Sequence, residues 1–169
     1  MLQPGARIAV VAPAGGFAAD RLGQGIGHVR TWGYDVVLAP HLAENGPRHR
    51  YLAGTYEQRL HDLTWALTEP GIDAVWFARG GFGTAHLLAG LPWADLDARP
   101  VLGFSDATSL FAGLTQRGLR AIHAPVLQGL ADLDLPAPQK RPDRLRLVLE
   151  DPSGEEVRHD QPVGAAFQD

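Results

Sequence analysis

Short runs of apolar, largely β-branched residues recur along this chain, and helical patterns separate them. Arg7–Ala12 (RIAVVA) is continuous rather than alternating, the mark of a strand covered on both faces. Tyr34–Leu38, Ile72–Phe77, Val101–Phe104 and Leu119–His123 read as further strands. Between the first two, Ala18–Trp32 carries Leu22, Ile26 and Val29 on one helical face, and Gly33 ends it. Thr55 is placed to cap a second helix with Leu60, Leu63 and Leu67 on one face, closed by Pro70-Gly71. Thr84–Leu91 reads as a short helix, and Ala107–Gln116 as another. Strands alternating with helices at this spacing build βαβ units. The expected fold is therefore α/β, a three-layer sandwich around a mostly parallel sheet of about five strands.

The same pattern sets the domain organisation. Residues 1–134 make one domain. From 135 to 169 we expect a linker and the start of a truncated C-terminal domain, because Leu135–Pro142 holds three prolines and the tail is polar and patternless. Asp143–Glu150 reads as a helix within that stretch, and His41–Tyr51 as a polar loop. No run approaches the roughly 18 uncharged apolar residues of a membrane span, and the N-terminus reads as a strand rather than a signal peptide. The expectation is a cytoplasmic protein without membrane association. A net charge of -4 gives no electrostatic case for nucleic acid. Zero cysteines exclude thiol catalysis and Cys-ligated zinc.

In a parallel sheet the chemistry sits at the carboxyl ends of the strands, and three such ends carry suggestive loops. Pro13-Ala14-Gly15-Gly16 follows the first strand. Arg79-Gly80-Gly81-Phe82-Gly83 follows the third; its glycines let backbone amides approach an anion or carbonyl oxygen, and Arg79 can pair with a carboxylate. A tight turn with a solvated Arg79 explains the same residues. Ser105-Asp106 follows the fourth strand, where a serine on a sharp strand-to-helix turn resembles a nucleophile elbow. Ala107 replaces the last glycine of the usual pattern, and a simple helix cap is the alternative. His123 ends the fifth strand on this edge, as a substrate contact or a hydrogen-bonded strand end. No Walker A or G-x-G-x-x-G loop occurs at these turns, and no cofactor is implied. None of the seven histidines has H-x₃-H or H-E-x-x-H spacing, so no metal site is expected. The four tryptophans read as packing residues.

Taken in order, Ala12-Pro13, Tyr51-Leu52-Ala53-Gly54 with Arg59 downstream, Arg79–Gly83 and Gly103-Phe104-Ser105-Asp106 resemble the N-terminal domain of the serine LD-carboxypeptidases. That family includes muropeptide tetrapeptidases and microcin C self-immunity peptidases. The resemblance covers about residues 6–130. It implies a flavodoxin-like or class I glutamine amidotransferase-like sheet. It also implies Ser105 as nucleophile, with the amides of Asp106 and Gly80 as oxyanion donors. Arg79, Gly81, Phe82 and His123 become substrate contacts. The implied reaction removes the terminal D-Ala from cytosolic peptidoglycan tetrapeptides, in a full-length protein that is commonly a homodimer.

The family draws its triad Glu and His from a second domain, expected here beyond residue 169, so the 169 residues alone are expected to be inactive. Glu150, in Leu147-Val148-Leu149-Glu150-Asp151, comes too soon after Ser105 to be that Glu. His123 likewise lies too close to Ser105 to be the His. Two other readings stay open: a non-catalytic α/β module that binds an anion or peptide, and a flavodoxin-like regulatory domain that dimerises through an exposed sheet edge.

Overall fold

The computed structural model describes residues 2–42, 51–134, 146 and 149–150. Five strands form one sheet: β1 (Arg7–Val11), β2 (Asp35–Leu38), β3 (Ala74–Phe77), β4 (Val101–Gly103) and β5 (Ala121–His123). Their order is β2-β1-β3-β4-β5. Every pairing is parallel, with Ile8 opposite both Val36 and Ala74 and Gly103 opposite His123. This is the flavodoxin-like order 2-1-3-4-5, whose topological switch point lies between β1 and β3.

Ile8–Val11 and Ala74–Phe77 are fully buried, so the sheet is covered on both faces, as continuous apolar strands require. The helices form two sets. Helix α1 (Ala19–Thr31) packs on a 3-10 segment, Leu127–Asp134, while α2 (Tyr56–Thr68) and α3 (Ala107–Thr115) both pack on a second one, Thr84–Gly90. On α1 the expected stripe of Leu22, Ile26 and Val29 is buried. On α2, Leu63 and Leu67 are buried and Leu60 lies at the margin. Thr55 caps α2 through a full capping box, its hydroxyl accepting from the Gln58 amide while Gln58 Oε1 accepts from the Thr55 amide.

Several elements are shorter than the apolar runs suggest. β3 begins at Ala74 rather than Ile72 because Asp73 turns its carboxylate onto the Arg7 amide at 2.7 Å. β4 stops at Gly103, and Phe104 leaves the sheet into solvent. The short helix after the glycine loop is 3-10 rather than α. Leu127–Asp134 was not anticipated beyond Pro125. Its Leu127 and Leu130 supply a helical stripe that α1 buries, and Gly25 makes the contact possible: a Cβ there would lie 2.0 Å from the Leu127 carbonyl oxygen.

The proline-rich 135–142 stretch and the tail 151–169 lie outside the described residues. Of the helix expected over 143–150, Arg146, Leu149 and Glu150 are described and helical. Leu149 is buried, and its carbonyl accepts from the Leu2 amide at 3.0 Å. Leu149 therefore joins the core beside Leu2, in the segment that precedes β1.

Candidate active site

β4 delivers Ser105 at its carboxyl end. Ser105 is the single non-glycine residue with positive φ among the described residues, at 62°. An L-residue held there costs about 1–2 kcal/mol, and such strain persists only where surrounding structure enforces it. The residue is exposed, and its carbonyl accepts from the Thr108 amide and hydroxyl at 3.0 and 2.7 Å. A simple cap does not describe this turn. Asp106, at the N-cap of α3, makes no side-chain cap bond. Its carboxylate instead accepts from the Thr84 amide at 2.7 Å, which fastens the serine turn to the end of the glycine loop. The Asp106 amide stands at the electropositive end of α3.

Gly80 lies directly against the serine. A Cβ on Gly80 would come within 3.1 Å of both the Phe104 carbonyl oxygen and Ser105 Cβ, and 3.5 Å from Ser105 Oγ. Glycine lets this loop sit against the serine turn, since a side chain here would crowd the Phe104 carbonyl and the Ser105 Cβ. The Gly80 carbonyl accepts from the Gly15 amide at 3.2 Å, and the Gly16 amide donates to Tyr51 at 2.8 Å. Gly15 also bridges to Leu52. Three loops far apart in sequence, after β1, before α2 and after β3, thus form one surface beside Ser105.

The remaining residues singled out from the sequence gather on this edge. Arg79 is exposed, but Nη1 donates to the Gly16 carbonyl, so part of its guanidinium fork holds the β1 loop instead of being wholly available to a ligand. Gly81 turns at φ 118°, where a Cβ would lie 3.0 Å from the Tyr51 hydroxyl. Phe82 is 58% exposed and meets His86 edge to face. Phe104 is 51% exposed and meets His123 with ring centroids 5.0 Å apart. Together with exposed Tyr51, these rings give the serine an aromatic rim.

Sequence reasoning left Arg59 without a role, though it stood in the recognised set. Its side chain is buried. Nε donates to Gly54 at 3.2 Å, and Nη1 to the carbonyls of Pro13 at 2.5 Å and Gly83 at 3.3 Å. One guanidinium thereby ties together all three loops. Burial lowers its pKa from the ordinary value, and the Asp106 carboxylate opposes that shift. An arginine one turn into a capped helix, just after Ala53-Gly54, is the signal the sequence offers.

The LD-carboxypeptidase N-terminal domain matches residues 8–124 of this sequence, from the first strand through the serine turn to just past β5. The chain belongs to the LD-carboxypeptidase family. Among its relatives, a murein tetrapeptide carboxypeptidase of Pseudomonas aeruginosa is 44% identical over 142 residues, spanning 82% of this chain and 45% of the relative. A probable murein peptide carboxypeptidase of Bacillus subtilis is 32% identical, over 79% of this chain and 42% of its own. Among solved structures, the muramoyltetrapeptide carboxypeptidase of Oxalobacter formigenes aligns with a TM-score of 0.62 at 30% identity, covering 72% of this chain and 40% of that one. A microcin self-immunity-like protein from Bacillus anthracis aligns at 0.70 with 22% identity, covering 77% and 40%, a likeness of fold. The chain spans less than half the length of these curated relatives. The matched LD-carboxypeptidase region contains every loop of the serine surface.

Proposed function

We propose that this chain is the nucleophile-bearing part of a serine LD-carboxypeptidase that removes the terminal D-Ala from cytosolic muropeptide tetrapeptides. The strained Ser105 turn, packed so closely on Gly80 that a Cβ on Gly80 would lie 3.1 Å from Ser105 Cβ, carries the reading. The names of the relatives supply the substrate class. Ser105 Oγ attacks the scissile carbonyl carbon and gives its proton to a base. The oxyanion then forms against the amides of Gly80 and Asp106, an arrangement in which each donor is worth about 10²–10³ in rate. Collapse of the tetrahedral species expels the D-amino acid, which takes up the proton. Water then hydrolyses the acyl-serine. Arg79, Gly81, Phe82 and His123 line the approach to Ser105 and contact the peptide.

A serine needs a positioned base. We assign the base and its carboxylate partner to the part of the relatives beyond the length matched here, so that the 169 residues alone are inactive. The test is release of D-Ala from an L-D tetrapeptide, by this chain and by a chain spanning the full length of the relatives. Release by the longer chain alone, abolished by Ser105→Ala, is the expected result. Undiminished release by Ser105→Ala in the longer chain sinks the assignment of the nucleophile. Release by the 169 residues alone sinks the missing base and turns attention to His123. Peptide binding by both forms without cleavage favours a binding module instead.

A further inference from the structure

The sequence has no histidine pair at metal-ligand spacing, but folding brings His41 against the adjacent pair His61-Asp62. His41 leaves the carboxyl end of β2, and His61 and Asp62 sit midway along α2. One donor atom from each lies within 4.8 Å of the others. His41 Nδ1 is 2.7 Å from Asp62 Oδ1, and His61 Nδ1 is 3.5 Å from the same oxygen. The two imidazoles meet edge to face at 5.0 Å. We propose that His41, His61 and Asp62 form a divalent metal site that takes Zn²⁺.

The donor chemistry selects the ion. Two imidazole nitrogens and one carboxylate oxygen make a borderline set, suited to zinc and poor for calcium or magnesium, which want oxygens. A tetrahedral zinc about 2.0–2.1 Å from each donor spaces the donors about 3.3–3.4 Å apart. The observed 2.7 and 3.5 Å straddle that value and the two imidazole donors lie within 4.8 Å of each other, so side-chain rotations that open the His41–Asp62 pair by roughly 0.6 Å and draw the imidazoles together bring the donors into range. The carboxylate is already oriented. Asp62 is buried with its side chain 5% exposed, and both its oxygens accept from the His41 amide at 3.2 Å. When Oδ1 ligates, Oδ2 keeps that amide bond, the outer support that metal ligands ordinarily have. His61, 57% exposed, leaves one side of the site open for the ion to enter and for water to fill the fourth position.

The placement gives the ion a purpose. His41 and Asp62 are 21 positions apart, and the chain between them includes Tyr51–Gly54, which lines the serine surface. A metal at this point clamps both ends of that excursion.

The test uses the chelator-treated chain, titrated with ZnCl₂ calorimetrically and with CoCl₂ by visible absorption. One ion per chain is expected to bind with a dissociation constant below about 100 μM and to raise the melting temperature. His61→Ala, at an exposed position, is expected to keep the fold, weaken binding at least tenfold and cancel the thermal shift. His86→Ala, another surface histidine, leaves binding unchanged. Weaker binding by the unaltered chain overturns the site. So does a loss of less than tenfold in His61→Ala, which places the ion elsewhere. Neither result bears on Ser105, whose assay is separate.

Discussion

Arg59 shows how much of the serine surface depends on one side chain. Its guanidinium answers three carbonyls, those of Pro13, Gly54 and Gly83. A buried carbonyl left without its donor costs about 1–3 kcal/mol. Arg59→Met is therefore expected to lower stability by about 2–4 kcal/mol in urea denaturation. Arg59→Lys should recover only part of this, because an ammonium is a point charge and cannot spread a rigid fork over three acceptors. A loss below about 0.5 kcal/mol for Arg59→Met would show that the loops hold together without it. Part of this residue was legible from the sequence, where Arg59 stood in the motif set. Its role was not, because Pro13 and Gly83 lie 46 and 24 positions away.

Between elements, α1 packs tightly on Leu127–Asp134. Gly25 lies so close to the Leu127 carbonyl that a Cβ there would sit 2.0 Å from its oxygen, and the contact is against backbone, which cannot rotate away. Gly25→Ala should thus destabilise by about 2–3 kcal/mol. That is opposite to the gain of about 0.5–1 kcal/mol that alanine brings at an open helical position. Gly23 has nothing within 4 Å of such a Cβ, so Gly23→Ala serves as the stabilising comparison. If thermal denaturation gives both the same sign, α1 does not pack there as described. Periodicity placed α1 and its buried stripe correctly. It did not reveal the partner, because the 3-10 segment follows a proline and its few leucines carry a helical signal too short to separate from a loop.

For the molecule as a whole, the alkaline limit of stability points to Tyr34. Its hydroxyl is buried without a hydrogen-bond partner among the described residues. Burial raises its pKa above the ordinary 10.0, and the Glu150 carboxylate adds to this against the opposing Arg146. A raised pKa in the folded state means that unfolding favours ionisation. Its contribution is complete below the unfolded value near 10 and is lost as pH rises through the folded one. Tyr34→Phe removes the unpaired hydroxyl. It should leave neutral-pH stability equal or up to about 1 kcal/mol higher, and should flatten the decline above pH 10. An unchanged alkaline limb in Tyr34→Phe would assign that decline to other groups. Because Leu149 also packs on Leu2, this end of the sheet ties the two ends of the described chain together.

The positions of the strands along the chain, the helix faces and the three site loops follow from local pattern, since periodicity, glycine clusters and caps act over a few residues. Hence the sequence alone determined an α/β parallel sheet, Ser105 at the tip of β4, and the glycine loop after β3. Only the tertiary structure decided that Ser105 sits at positive φ, that Asp106 holds Thr84 instead of capping α3, and that part of Arg79 is spent on Gly16. The meeting of His41 with His61 and Asp62 belongs to the same class. Each of these is a contact between segments brought together by the sheet. No short-range rule encodes such a contact, because its partners are chosen by topology.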